Sequence, residues 1–144
     1  MATTLRKPIS TATLDIGGSD IDPATRDARE RLARMVTQLF DHWKLSTAEQ
    51  AALLGLSADN RSTLARYRKG DPLADSRDLL DRAGHLLGIH KSLRILFPQD
   101  RDLAYRWMTT PSRRLGGRPV DIAVTHGFEG LLALRRYLDF ERGT

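Results

Sequence analysis

The sequence predicts an all-α protein, and three observations support this fold class. Apolar residues recur at intervals of three and four over most of the chain after residue 22, which is the period of an amphipathic helix. Capping residues and Gly or Pro turns separate these stretches. No segment has the alternating pattern of a half-buried strand. The expected architecture is a helical bundle followed by a second, smaller helical unit.

The composition is that of a globular protein from a reducing compartment. The 144 residues are 40% hydrophobic and 28% charged, which is enough for a real core. Cysteine is absent, and this excludes disulfides, thiolate zinc sites and thiol nucleophiles. No stretch approaches the roughly 20 apolar residues of a membrane span, and no secretory signal begins the chain. We therefore expect a cytoplasmic protein.

The net charge of +5 is divided between two parts of the chain. Residues 1–30 hold four basic and five acidic residues, residues 31–92 ten and seven, and residues 93–144 nine and six. The two parts that are expected to fold therefore carry +3 each. Of the 23 basic residues 19 are Arg, which suits phosphate and interface pairing, although a GC-rich genome gives the same bias.

The first helix is expected after a flexible N-terminal arm over residues 1–22. The arm is rich in Thr, Ser and Gly and has no helical period. Asp22 and Pro23 predict a helix start, because Asp caps free N–H groups and Pro tolerates the first helical position. An apolar stripe then continues for about 20 residues. Its members are Ala28, Leu32, Met35, Val36, Leu39, Phe40 and Trp43.

Residues 46–70 predict two short helices joined by a turn. Ser46 and Glu49 have the spacing of a capping box, so a helix is expected to run through Leu54. Gly55 can take the positive φ that ends a helix. A second short helix follows and is closed by a Gly-Asp-Pro sequence.

This arrangement is typical of a helix-turn-helix, in which the first helix braces a second that lies in the major groove of DNA. Ala51 and Gly55 are the small residues that such a junction needs, and Leu64 and Tyr67 are expected on the buried side of the second helix. Four positive charges and no acid fall within its nine residues, and Arg can pair with guanine. The predicted DNA-binding residues are Arg61, Ser62, Thr63, Arg66, Arg68 and Lys69.

Two alternatives stay open for this helix. It can be a solvated basic helix of an ordinary bundle, because the residues around Asp59 make the turn about three residues longer than the tightest helix-turn-helix. Asp59 would also repel phosphate if it faced the duplex. The DNA contacts can instead come from the arm, through Arg6 and Lys7 in a minor groove.

Further helices are expected in the second half of the chain. Asp75 or Ser76 can cap a helix that ends at Pro98, with a break near residue 88 because Gly84 and Gly88 interrupt it. The later helices are expected over about residues 100–108, over Val120–Thr125 after Pro119, and from Phe128 through Leu138.

The sequence offers little for catalysis. Its four His residues form no His-x3-His or His-Glu-x-x-His pattern, so no metal site is expected. No nucleophile elbow or phosphate-binding P-loop occurs. No pair of carboxylates lies in an apolar context that would raise a pKa for acid–base work. We expect a protein without enzymatic activity and without a cofactor.

A second pattern lies in residues 105–138 and resembles a known family. Trp107-Met108-x-x-Pro111 is followed by Leu115-Gly116-Gly117-Arg118-Pro119-x-Asp121 and by a glycine before the last apolar helix. This string resembles the toxin-binding domain of the Xre/MbcA/ParS antitoxins. Residues 46–70 and 78–83 resemble the Xre-like part that precedes it in those proteins. The likeness covers about residues 30–140.

Members of that family neutralise a toxin with a RES domain, which degrades NAD, and many repress their own operon. The resemblance therefore implies an antitoxin that covers the toxin's active site with its C-terminal domain. It also implies binding to operator DNA, which we expect from a homodimer formed through the N-terminal domain. The expected domains are the arm over residues 1–22, the helix-turn-helix domain over 23–92 and the toxin-binding domain over 93–144.

Arginine and aromatic residues around the second pattern mark the expected toxin contact. Trp107 is expected to pin the two halves together, and the Gly pair lets the backbone pass close to another surface. An NAD cleft must hold a pyrophosphate, so we expect the end from about Arg135 to Thr144 to cover or enter it. The predicted toxin-binding residues are Arg113, Arg114, Leu115, Arg118, Arg135, Arg136, Tyr137, Phe140, Arg142 and Thr144.

Two other interpretations stay open for the C-terminal half. Its last arginines can be solvated charges that favour the helix dipole. The chain can also be a stand-alone helix-turn-helix repressor whose C-terminal half dimerises or senses a ligand. Such a repressor has no reason to carry the pattern from Trp107 to Asp121.

Overall fold

The computed structural model describes residue 22, residues 24–57 and residues 59–143. This part of the chain is helical, and its only extended pairing is an isolated antiparallel bridge between Ser112 and Gly117. The predicted all-α class is confirmed. No helix in these ranges is long and apolar enough to cross a membrane. Residues 1–21 of the predicted arm over 1–22, with Arg6 and Lys7, lie outside the described residues, as do Pro23, Ala58 and Thr144.

The described chain forms seven α-helices and one turn of 3-10 helix. In chain order they are α1 (Arg26–Trp43), α2 (Thr47–Leu53), α3 (Arg61–Arg68), α4 (Arg77–Leu96), α5 (Arg101–Arg106), the 3-10 turn (Trp107–Thr109), α6 (Pro119–His126) and α7 (Phe128–Glu141).

The start of α1 differs from the prediction. Thr25, not Asp22, is the N-cap, because its side-chain oxygen accepts a hydrogen bond from the Ala28 N–H at 3.2 Å. Asp22 accepts a hydrogen bond from the Ala24 N–H instead and so shapes the turn before the helix. Asp22 and Thr25 both have side chains that can cap a helix, and only the backbone path decides which of them reaches the free N–H groups of α1.

The α2–α3 segment confirms the predicted motif. Ser46 Oγ accepts from the Glu49 N–H at 3.1 Å, and the Glu49 carboxylate accepts from the Ser46 N–H at 2.8 Å, so the capping box is complete. Gly55 has a φ of 73° at the end of α2. Leu64 and Tyr67 are buried, as expected for the inner side of α3.

The predicted break near residue 88 is wrong, since α4 is a single helix of 20 residues. Gly84 and Gly88 are both buried. A Cβ on Gly88 would overlap the guanidinium of Arg135 on α7. This glycine therefore makes room for the neighbouring helix and does not end its own.

One hydrophobic core runs through both halves of the chain. The buried residues form a single cluster that extends from Leu32 on α1 to Leu138 on α7. α4 packs against both α1 and α7, α6 packs on α7, and α2 lies against α6. The expected domain boundary after residue 92 falls inside α4, the helix that both halves share.

Candidate functional site

α3 presents a basic surface to solvent. Arg61, Ser62, Arg66 and Lys69 are exposed, and Thr63 is half-buried. No side chain caps the N-terminus of the helix, and its first turn contains no acidic residue. The positive end of the helix dipole therefore adds to the charge of the side chains.

Arg68 differs from the other basic residues of α3. Its Nη1 donates to Oδ1 of Asp41 on α1 at 2.6 Å, and its Nη2 donates to Oε1 of Gln50 on α2 at 3.1 Å. The Gln50 amide in turn donates to the Leu45 carbonyl at 3.0 Å. Arg68 therefore holds α3 against α1 and α2, and Asp41 balances its charge.

The loop between the 3-10 turn and α6 is folded back on itself. The Ser112 N–H donates to the Gly117 carbonyl at 3.0 Å, and the Gly117 N–H donates to the Ser112 carbonyl at 3.2 Å. Leu115 packs against the core, whereas Arg113 is exposed. We call residues 112–118 the folded loop.

Arg118 joins the folded loop to the helix-turn-helix. Its guanidinium donates to Asp121 at 2.8 Å and to Oε2 of Glu49 on α2 at 2.9 Å. The hydrogen bond with Asp121, and then that with Glu49, raises the pKa of Arg118, while Arg118 lowers the pKa of Asp121. Arg118, one of the predicted toxin-binding residues, thus connects α6 to α2 within the chain.

An aromatic contact attaches the 3-10 turn to α7, and Arg114 attaches the folded loop to the same helix. The rings of Trp107 and Tyr137 stack with centroids 6.3 Å apart and planes at 19°. Arg114 hydrogen-bonds with Tyr137, which raises the pKa of Arg114, and its Nη1 lies 3.3 Å from the Glu141 carboxylate. Trp107 is only half-buried, and its stacking partner belongs to the same half of the chain. The 3-10 turn that carries Trp107 also contacts α1, so the expected place of Trp107 as a pin between the halves stays a prediction.

Two of the predicted toxin-binding arginines lie between α7 and α4. Arg135 Nη1 is 3.1 Å from Nδ1 of His85, and the guanidinium occupies the space above Gly88. Arg142 donates to Ser92 Oγ at 3.1 Å. Burial, together with the charge of Arg135, lowers the pKa of His85 and favours the neutral ring. In the chain by itself, these arginines attach α7 to α4.

Phe140 and Arg136 are the predicted residues that α7 presents to solvent. Phe140 is 75% exposed, whereas the next most exposed large apolar side chain among the described residues, Ile95, is 47% exposed. Arg136 is also exposed and precedes Phe140 by four residues, so both lie on one face of the helix. Aromatic residues and Arg are the side chains that interface centres favour.

Two residues of the helix-turn-helix half contact the C-terminal half, and no sequence pattern predicts these contacts. Glu49 is predicted only as part of the capping box, and Arg82 on α4 lies only within the stretch 78–83 that resembles the family. Arg82 contacts the end of α2 through the Leu53 carbonyl, and its guanidinium lies 5.6 Å from the ring centroid of Phe128. No spacing signal could have revealed these contacts, because Glu49 and Arg118 are 69 positions apart.

The fold and these surfaces define a two-domain regulator, with a helix-turn-helix joined to a small helical binding unit. Residues 22–88 match the family model described as the antitoxin Xre-like helix-turn-helix domain. Residues 92–143 match the model of the antitoxin Xre/MbcA/ParS C-terminal toxin-binding domain. The chain is also 32% identical over 107 residues to the uncharacterized protein y4oB of Sinorhizobium fredii, a stretch that covers 74% of this chain and 80% of that protein.

The chain therefore belongs to the Xre/MbcA/ParS antitoxin family, and the resemblance seen in the sequence is confirmed. It is an antitoxin of a toxin–antitoxin system, with a helix-turn-helix domain and a toxin-binding domain. Both domain families consist of regulators without enzymatic activity.

Proposed function

We propose that this antitoxin neutralises a RES-domain toxin that degrades NAD, and that α7 and the folded loop cover the toxin's active site. The family match supports toxin binding by residues 92–143. The observation that carries the finer proposal is the 75% exposure of Phe140 on the same helix face as Arg136. A cleft that holds a dinucleotide has apolar surface for a base, and the exposed ring of Phe140 is complementary to that surface. The cationic region that holds the pyrophosphate would repel a guanidinium, so Arg136 is expected to pair with acidic or carbonyl groups at the rim of the cleft.

The contacts within the chain favour a smaller set of toxin-binding residues than the sequence predicts. Arg135 and Arg142 are held on α4, and Arg118 is held by two carboxylates. A toxin that bound these arginines would first have to break their contacts within the antitoxin, and this would reduce the net binding energy. Phe140 and Arg136 can instead bind a partner without rearrangement, so we expect them to supply most of the binding energy.

The test compares Phe140→Ala and Arg136→Ala with Arg101→Ala, an exposed arginine on α5 that serves as the matched control. We expect Phe140→Ala to weaken toxin affinity about 30-fold or more, as for an interface hot spot, and to restore NAD degradation at equimolar antitoxin. Arg101→Ala should leave both unchanged. Wild-type affinity in both test variants would exclude this contact. Point variants are preferable to a truncation after Leu134, which would remove Leu138 from the core.

We also propose that α3 binds operator DNA and that the chain represses its own operon as a dimer formed through its N-terminal half. The exposed Arg61, Arg66 and Lys69, together with the acid-free first turn of α3, support this role. Because both proposed partners are expected in the cytoplasm, we expect the antitoxin there as well. A stand-alone repressor is the alternative, and it would bind DNA but no toxin.

A further inference from the structure

We propose that the groove between the C-terminal end of α1 and α5 binds a purine mononucleotide. The groove has a volume of about 500 Å³ and is lined by residues from the end of α1, from α5 and from the 3-10 turn. Small-molecule sites are typically concavities of about 300–1,000 Å³, so the groove has the size of such a site. None of its lining residues is assigned above to DNA or to the toxin, and the inference is therefore independent of the proposed function.

A stack of aromatic rings ends in this groove. Tyr105 on α5 stacks on His42 of α1, with centroids 4.3 Å apart and planes at 7°, and on His90 of α4, with centroids 5.6 Å apart and planes at 3°. His42 is the exposed end of the stack, and it lines the groove together with Tyr105. Because Tyr105 covers one face of the His42 ring, the other face is available to a base. Nucleobases stack on aromatic side chains of this kind, His included.

Two exposed cations line the same groove, Lys44 directly after α1 and Arg106 at the end of α5. Both side chains are donors that bind phosphate oxygens. Lys44 also has a left-handed backbone, with φ 58° and ψ 44°, at a helix end where Gly is the usual residue. Among the described residues, it alone combines a positive φ with a side chain. Strained residues of this kind cluster at binding sites.

The groove also contains an acceptor for the amino group of a base. Asp41 and Asp102 both line it, but Asp41 is paired with Arg68. Asp102 is exposed in the first turn of α5. A carboxylate accepts hydrogen bonds, and adenine and guanine both carry an amino group that donates them. An open ring face, two cations and a carboxylate are together complementary to the base, the phosphate and the amino group of a purine mononucleotide.

The first measurement titrates the full chain with AMP and GMP by calorimetry. We expect at least one of them to bind with a Kd below about 1 mM. Ribose 5-phosphate, which has no base to stack on His42, should bind at least about fivefold more weakly. No saturation by either nucleotide up to about 5 mM, or equal affinity for ribose 5-phosphate, would overturn the proposal.

His42→Ala tests the stacking surface, with the tighter of the two nucleotides as the ligand. The variant should lose at least about fivefold in affinity for the nucleotide and bind ribose 5-phosphate as the wild type does. An equal loss for both ligands would mean that the ring does not hold a base and would overturn the proposal.

Lys44→Gly separates binding from stability. Gly adopts the left-handed conformation without strain, so this variant should unfold at a urea concentration no lower than the wild type. The same variant should bind the nucleotide about fivefold more weakly, because it has lost a cation from the groove. Wild-type affinity in Lys44→Gly would show that its side chain does not contact the phosphate and would overturn the proposed site.

Arg106→Ala and Arg101→Ala form a matched pair, since both arginines are exposed on α5 and only Arg106 lines the groove. We expect Arg106→Ala to weaken nucleotide binding about fivefold and Arg101→Ala to change it less than about 1.5-fold. Equal losses in the two variants would mean that the nucleotide responds to the overall charge of the protein, and this result would overturn the assignment of the groove.

Discussion

Arg66 and Arg68 are two positions apart on α3, and their surroundings give them different roles. Arg66 is exposed, with a long 3.5 Å contact to Thr63. Arg68 is paired with Asp41, 27 positions away in the chain. A paired guanidinium adds little to the external field, because the carboxylate cancels most of its charge at a distance. Residues of one type on one helix therefore divide into contacts for a partner and contacts for the fold.

Replacement of these two arginines by alanine is expected to have different effects. Arg66→Ala should lower the slope of log affinity for DNA against log salt concentration by about 0.9, because one phosphate contact is lost. Arg68→Ala should change the slope less and lower the free energy of unfolding by up to about 1 kcal/mol, as for an exposed pair. Salt titrations of duplex binding and urea unfolding measure the two quantities. Equal slope changes in both variants would show that Arg68 also reaches the DNA.

At the scale of the elements, the packing of α6 on α7 depends on Gly130. A Cβ at this position would overlap the Ile122 carbonyl oxygen and would lie 3.1 Å from the Ala123 Cα. Both atoms belong to the backbone of α6, so neither can move away as a flexible side chain could. Gly117 in the folded loop has nothing within 4 Å of its built Cβ. The two glycines thus differ in the space that a methyl group would find.

We expect Gly130→Ala to destabilise the protein by about 2 kcal/mol, since α6 and α7 would have to separate. Gly117→Ala should change the free energy of unfolding by less than about 0.5 kcal/mol. Urea denaturation followed by circular dichroism compares the two variants with the wild type. A Gly130→Ala protein as stable as Gly117→Ala would contradict the close contact between the helices.

At the scale of the whole molecule, the two family domains share one core and one long helix. α4 runs across the expected domain boundary and contacts both α1 and α7. The buried cluster is continuous between the halves, and neither half keeps its full core alone. Cooperative unfolding of the whole chain is the physical consequence.

The two Trp residues of the chain allow the expected cooperative unfolding to be tested, because Trp43 reports on α1 and Trp107 on the C-terminal half. In Trp107→Phe the fluorescence follows Trp43, and in Trp43→Phe it follows Trp107. We expect the fluorescence transition of each variant in urea to coincide with that variant's own circular dichroism transition. In either variant, a fluorescence midpoint that differs from the circular dichroism midpoint would mean that the halves unfold separately.

The local signals in the sequence were sufficient for most of the fold. The capping box at Ser46, the cap at Ser76 and the Pro119 start each act within a few residues, and the structure has the corresponding helices. The apolar stripe of α1 is buried, as the spacing of its residues at intervals of three and four predicts. The two errors, the cap at Asp22 and the break near residue 88, arose where a local signal allowed more than one outcome.

The sequence by itself determined the helical class, the order of the helices, the helix-turn-helix and the family, because these depend on periodicity, capping and motif spacing. Only the tertiary structure decided which arginines are available to a partner. Four arginines have contacts on other elements, namely Arg68, Arg118, Arg135 and Arg142. Arg66 and Arg136 are exposed, as is the ring of Phe140. The physical reason is that an ion pair or a close contact depends on distance in space, and residues 27, 50 or 69 positions apart meet only after the helices pack.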